Sequence, residues 1–153
     1  MVRAEAALLR EFLEHGPESP DRDLAEGLRD AVRDARVIAS HELELVIGPL
    51  EAPCTGRPAE ALVNAAREAL RNAQKHAAAT SVVVYCEVTG GRALVTVKDD
   101  GVGADTSGMR TGIGIRDSIV ARLEQNAGVA RLESAPGAGM LVTLELPLQR
   151  EAA

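Results

Sequence analysis

Aromatic residues are nearly missing from this chain. Phe12 and Tyr85 are the only two among 153 positions, and there is no tryptophan. This counts against a stacking platform for single-stranded nucleic acid, and any core must be built from Ala, Val, Leu and Ile. Positive charge is also in deficit: 17 Lys and Arg stand against 23 Asp and Glu, for a formal net charge of -6. Neutralising a phosphate backbone takes a basic face, so a nucleic-acid partner is disfavoured. Only two cysteines occur, Cys54 and Cys86. They form no metal-binding pattern and are expected to be reduced, half-buried thiols of a cytosolic protein. No apolar run approaches the roughly 18 residues that a membrane span requires. Arg3, Glu5, Arg10 and Glu11 break up the N-terminus, so no signal peptide is expected there. The chain is thus expected to be cytoplasmic and without membrane contact of its own, even if cut from a longer, membrane-anchored parent.

What is present suffices for one compact domain, since 46% of residues are hydrophobic. Apolar residues recur at helical spacing over 3–15, up to the stop at Gly16-Pro17. A second amphipathic helix spans 21–38, with Leu24, Leu28, Ala31, Val32 and Ala35 on one stripe. The period then changes to two, and 41–47 reads as a strand. Gly48-Pro49 and Pro53 to Pro58 read as loop, followed by a long helix from Pro58 to about Ala77. Strands at 81–88 and 92–98 are joined by Thr89-Gly90-Gly91, a hairpin signal. Residues 99–112 read as a Gly- and Asp-rich loop, 113–125 as a helix, and 129–134 and 139–146 as closing strands around Ala135-Pro136-Gly137-Ala138. The order β-α-β-β-α-β-β predicts an α+β two-layer sandwich: a mixed, mostly antiparallel sheet covered on one face by helices.

Four segments could carry chemistry. Glu68, Asn72, Lys75 and His76 fall at i, i+4, i+7 and i+8, along one edge of the long helix. A carboxylate, an amide, an ammonium and an imidazole on one ridge could hold Mg²⁺ through oxygens and meet phosphate oxygens. Taken alone, the ridge also fits a solvated polar face. In the strand 92–98, Ala93, Val95, Val97 and Asp99 share a face. If that face is inward, Asp99 arrives at the core edge as a carboxylate in need of donors, for which the exocyclic amino group of adenine is suitable. Gly101 and Gly103 would let a flat ring approach the backbone, though Asp99-Asp100-Gly101-Val102-Gly103 also fits a tight turn. Thr111, Gly112, Ile113 and Gly114 run into a helix, where unpaired N–H groups and the positive end of the dipole favour an anion. Ser134 to Met140 is, by itself, a hairpin turn.

Together, in this order, the segments resemble the ATP-binding domain of bacterial sensor histidine kinases. That family belongs to a wider class with type II topoisomerases, a heat-shock chaperone family and mismatch-repair ATPases. Glu68 to Ala77 looks like the family's N box and Asp99 to Gly103 like its Asp-x-Gly-x-Gly box. Thr111 to Ile115 looks like its glycine-rich box, and Ser134 to Gly139 like its last glycine motif. The resemblance covers about 41–148, implies a Bergerat-type ATP-binding fold, and carries ATP and Mg²⁺ with it. It implies that Asn72 ligates Mg²⁺ and that Asp99 accepts from the adenine amino group. By the same resemblance Lys75, His76, Gly112 and Gly114 meet the phosphates, and Glu68 orients or activates the attacking group. The short segment 104–111 is similar to the abbreviated lid of kinases that work with helix-turn-helix response regulators. Two departures stand out. Met140 occupies a position where many relatives have a Thr in the adenine network, and Arg110 one where a further lid Gly is common.

None of His15, His41 and His76 stands on an element suited to receive the phosphate. The resemblance then implies an acceptor histidine on a dimerisation domain outside this chain, and a response regulator as the later partner. Residues 1–38 are expected to be the tail of a dimerisation hairpin or a linker, 39–149 the ATP-binding domain, and 150–153 a tail. Met1 would then begin an excised piece. Two other readings keep the same boxes: a stand-alone serine kinase of the anti-sigma type, and a non-catalytic ATP-binding module.

Overall fold

The computed structural model describes residues 23–39, 42–76, 81–101, 119–121, 123–134 and 139–148. The helix expected at 3–15, the segment 102–118 and the 135–138 turn lie outside them, as do the tail and His41.

Helix α1 spans Leu24–Ile38. It starts where it does because Asp23 is its N-cap: Oδ1 accepts the Glu26 N–H at 2.8 Å. Strand β1 covers Glu42–Leu50, helix α2 Gly56–His76, β2 Ser81–Thr89, β3 Arg92–Asp99, β4 Val129–Ser134 and β5 Met140–Pro147. The strands form one sheet in the order β1-β2-β3-β5-β4. β1 pairs parallel with β2, across the α2 connection, and every other pairing is antiparallel. Gly90 and Gly91 both take positive φ, 58° and 76°. That is the two-residue turn that matches strand twist, and few residues other than glycine tolerate it.

Strict alternation puts one sheet face inward. β2 buries Val82, Val84, Cys86 and Val88; β3 buries Ala93, Val95, Val97 and Asp99; β5 buries Val142, Leu144 and Leu146. The helices cover this face. α2 lays down Leu62, Ala65, Ala66, Ala69, Leu70 and Ala73, and α1 adds Leu24, Leu28, Ala31 and Val32 to the same cluster. Fully burying each Leu or Val contributes roughly 1.5–3 kcal/mol. α1 is tied to its neighbours by polar contacts as well. Arg36 donates to the Leu43 carbonyl at 2.7 and 3.1 Å, and Gln74 to the Ala35 carbonyl at 3.1 Å. Past these ties Val37 and Ile38 are exposed. Of the helix expected at 113–125, residues 119–121 and 123–124 are described and helical, and Ile119 and Leu123 are buried.

Three details differ from the expectations. β1 runs on through Gly48-Pro49 to Leu50, where the sequence reads as loop. As an edge strand it tolerates a proline with no N–H to give, and its register breaks between Ile47 and Leu50. α2 begins at Gly56, two residues before Pro58. The two cysteines are fully buried rather than half-buried, at 3% and 0% exposure, and both are free thiols. Their place in the buried core removes water from the thiolate, and this desolvation pushes both thiols up to about 11. No described helix is long and apolar enough to cross a membrane.

Candidate functional site

Asp99 is the one buried charged residue among the described residues, at 5% exposure. It ends β3, paired with Val82 of β2 on one side and Met140 of β5 on the other. Its placement follows from the strand period: the face that buries Ala93, Val95 and Val97 must carry position 99 inward too. Its Oδ1 accepts from the Gly101 N–H at 2.9 Å and from the Met140 N–H at 3.2 Å. No described group bonds Oδ2. A buried carboxylate with one oxygen held and the other unclaimed is an acceptor aimed at an incoming donor.

The neighbouring aspartate does a different job. Asp100 Oδ1 accepts the Ser81 N–H at 2.9 Å and so pins the start of β2. Lys98 lies on the outer face and donates Nζ to the Asp99 carbonyl at 2.8 Å. Gly139, which feeds into β5, has φ 73°, and a β-carbon there would overlap the Asp99 carbonyl oxygen. Glycine is thus required for β5 to start beside Asp99. The Ser134 hydroxyl donates to the Gly139 carbonyl at 2.7 Å and holds the two ends of the β4–β5 connection together.

α2 packs across β3 and β5 and brings Asn72 to the same place. Asn72 is half-buried, and its Nδ2 lies 3.8 Å from Met140 Sδ. Glu68, one turn earlier, is 22% exposed and ion-paired with Arg71 at 2.6 Å. Lys75 and His76 occupy the last turn of α2, with side chains outside the described set. The structure therefore brings Asn72, Asp99 and Gly101 together around Met140. Gly103, Thr111, Gly112, Ile113 and Gly114 lie outside the described residues. Among the described residues no group of three or more His, Cys, Asp or Glu could hold a metal by itself. The donor set fits a Mg²⁺ ion that arrives with a ligand's phosphates and needs only an amide or carboxylate oxygen from the protein.

Sequence reasoning missed two participants. Met140 was visible only as a departure from a family pattern, and the Arg71 partner of Glu68 was not anticipated. The missing signal is register. Nothing in the order of residues says that Met140 lies opposite Asp99 until β3 and β5 are paired.

Comparisons with known proteins bear on the fold that carries these residues. A family model described as histidine kinase-, DNA gyrase B-, and HSP90-like ATPase matches residues 58–150. Similar solved structures include the histidine kinase domain of a blue-light-activated histidine kinase from Erythrobacter litoralis EL346. That match has 21% identity and a TM-score of 0.69, covering 92% of this chain and 70% of the other. The ATP-binding domain of PrrB from Mycobacterium tuberculosis aligns at 23% identity and a TM-score of 0.68, over 84% of this chain and 96% of that one. The mycobacterial sensor histidine kinase MprB aligns at 22% and 0.64, over 82% and 95%. No match was found among curated proteins. At such identities the structural likenesses speak for the fold, a five-stranded mixed sheet under helices, and the family match covers more than half of the chain. On that match, this chain belongs to the histidine kinase-, DNA gyrase B- and HSP90-like ATPase family.

Proposed function

We propose that this chain is the ATP-binding catalytic domain of a two-component sensor histidine kinase. It binds Mg-ATP in the cytoplasm and donates the γ-phosphate to a histidine on a dimerisation domain outside the chain, from which a response regulator later takes it. The observation that carries the reading is the half-claimed carboxylate of Asp99, buried at 5% exposure and bonded by described groups through Oδ1 alone. Its second oxygen is an acceptor for the adenine amino group. Gly101 and Gly103 let the ring lie close to the backbone.

Asn72 presents an amide oxygen for the metal, which when bound neutralises phosphate charge. Lys75 and His76 meet phosphate oxygens, and Thr111, Gly112, Ile113 and Gly114 offer groups to the triphosphate. Glu68, already held by Arg71, orients the attacking imidazole. In transfer the bond from the γ-phosphorus to the bridging oxygen breaks, leaving ADP, and a nitrogen–phosphorus bond forms. Positioning and charge neutralisation do most of such work, so this short set of groups suffices.

Isothermal titration with a non-hydrolysable ATP analogue and Mg²⁺ tests the binding half, and the expected result is saturable one-to-one association. No association at millimolar nucleotide would overturn it. Mixing the chain with its parent's dimerisation domain and labelled ATP tests the transfer half. Acid-labile, base-stable phosphate is the expected product, whereas acid-stable phosphoserine on a partner protein would point to the serine-kinase reading.

A further inference from the structure

Met140 touches both halves of the site through different atoms. Its backbone N–H donates to Asp99 Oδ1 at 3.2 Å, while its Sδ stands 3.8 Å from Asn72 Nδ2. We propose that Met140 is a positioning residue: its thioether sets which end of the Asn72 amide faces the phosphate side, and so prepares Asn72 to meet a divalent cation. This rests on the Mg-ATP reading above.

The chemistry is one-sided. A thioether sulfur has lone pairs and no proton, so it can accept but never donate. Only the NH₂ end of Asn72 gains by facing it. The amide oxygen is then turned away from Met140, where it can ligate. The terminal torsion of an asparagine is broad and nearly two-fold, so without a biased neighbour both ends would sample the ligating position. An NH₂ group in that position repels a cation. A threonine hydroxyl at 140 could donate or accept, and would satisfy either orientation. Methionine at 140 therefore removes an ambiguity that a hydroxyl would leave. Its position is fixed in turn. Register pairing with Asp99 and the β-carbon exclusion at Gly139 leave little freedom at the start of β5.

The test is the metal enhancement of nucleotide affinity, the ratio of Kd for an ATP analogue in EDTA to Kd in Mg²⁺, by isothermal titration. Met140→Leu keeps the volume and removes the acceptor. Without the bias both ends share the ligating position, so the competent fraction falls from near one to about one half and the ratio should fall by about twofold. Met140→Gln, whose amide can accept or donate and so favours neither end of Asn72, should leave the ratio about as low as Met140→Leu does. In an Asn72→Ala background Met140→Leu should leave the ratio unchanged, because the interaction it removes is already gone. A ratio in Met140→Leu equal to that of the parent overturns the inference. So does an equal fall in the Asn72→Ala background, which would mean that Met140 acts through packing. Should Met140→Leu not fold, the Gln variant decides: a ratio equal to the parent's there refutes the role. If the unsubstituted chain binds no nucleotide, the Mg-ATP reading fails first; if it binds but the ratio is indifferent to residue 140, only this inference fails.

Discussion

Replacing Asp99 by asparagine exchanges one oxygen for an NH₂ group and removes a negative charge, with almost no change in shape. The two backbone N–H groups of Gly101 and Met140, at 2.9 and 3.2 Å from Oδ1, can keep an amide oxygen as acceptor. Those bonds weaken by about 1 kcal/mol in sum when the acceptor loses its charge, and relief of charge burial offsets part of that. Unfolding free energy in urea should therefore change by less than about 1 kcal/mol. The oxygen left free for a ligand fares differently, because it becomes a donor. A bond from the adenine amino group to a charged acceptor contributes about 1.5–3 kcal/mol. Losing it should raise the Kd for an ATP analogue by on the order of ten- to a hundredfold. Inosine triphosphate, which carries a 6-oxo group in place of the amino group, supplies the control. The parent chain should favour ATP over it. The Asp99→Asn variant, whose new NH₂ can donate to the 6-oxo group, should show that preference shrunk or reversed. Affinity for ATP within about twofold of the parent in the folded Asp99→Asn variant would refute the assignment. A loss of binding accompanied by several kcal/mol of destabilisation would show Asp99 to be a structural brace instead.

Gly139→Ala must fit a β-carbon against the Asp99 carbonyl at φ 73°; a loss of about 2 kcal/mol or more is expected in urea denaturation, with weakened nucleotide binding. Leu28→Ala, fully buried on α1, should cost about 2–5 kcal/mol; a cost under about 1 kcal/mol would mean that α1 does not belong to the folded core. Cys54 and Cys86, held protonated up to about 11, should resist alkylation at pH 8 until the chain is unfolded. Their folded values lie above the unfolded thiol value of 9.0. The stability they contribute is therefore complete below pH 9 and is lost as pH rises towards 11. Cys86→Val should flatten that decline in the denaturation midpoint.

Much of the fold is legible in the order of residues because local physics and tertiary need agree. The stripe of Leu62, Ala66, Ala69, Leu70 and Ala73 and the alternation of β3 are both what the core requires, and all of these positions are buried. The errors fall where the two part company. Gly48-Pro49 carries the marks of a loop, yet the edge position of β1 tolerates it. The helix expected to open at 21 waits for its cap at Asp23. In the site, period alone put Asp99 on one face with Ala93, Val95 and Val97, and the fold shows that face to be the inward one. Asn72 needed the packing of α2 over β3 and β5, and Met140 needed a register that pairs residues 41 positions apart. Local propensity contains no such term.

The contact between the helix layer and the sheet has a mechanical side. α1 and α2 are fastened to each other near both ends, by Gln74 on the Ala35 carbonyl and by Leu24 on the Cys54 carbonyl at 2.9 Å, just ahead of α2. They form a bracket. Apart from Leu62 and Leu70, the residues α2 buries are alanines: Ala59, Ala61, Ala65, Ala66, Ala69 and Ala73. Small side chains leave shallow ridges, and shallow ridges resist sliding less than interlocked large ones. Asn72 rides on the bracket, while Asp99 and Met140 ride on the sheet. A slip of one layer over the other would stretch the 3.8 Å Asn72–Met140 contact and the Arg36 bonds to the Leu43 carbonyl of β1 before it disturbed either layer's own hydrogen bonds, so these distances are the gauges on which such a movement would first be read.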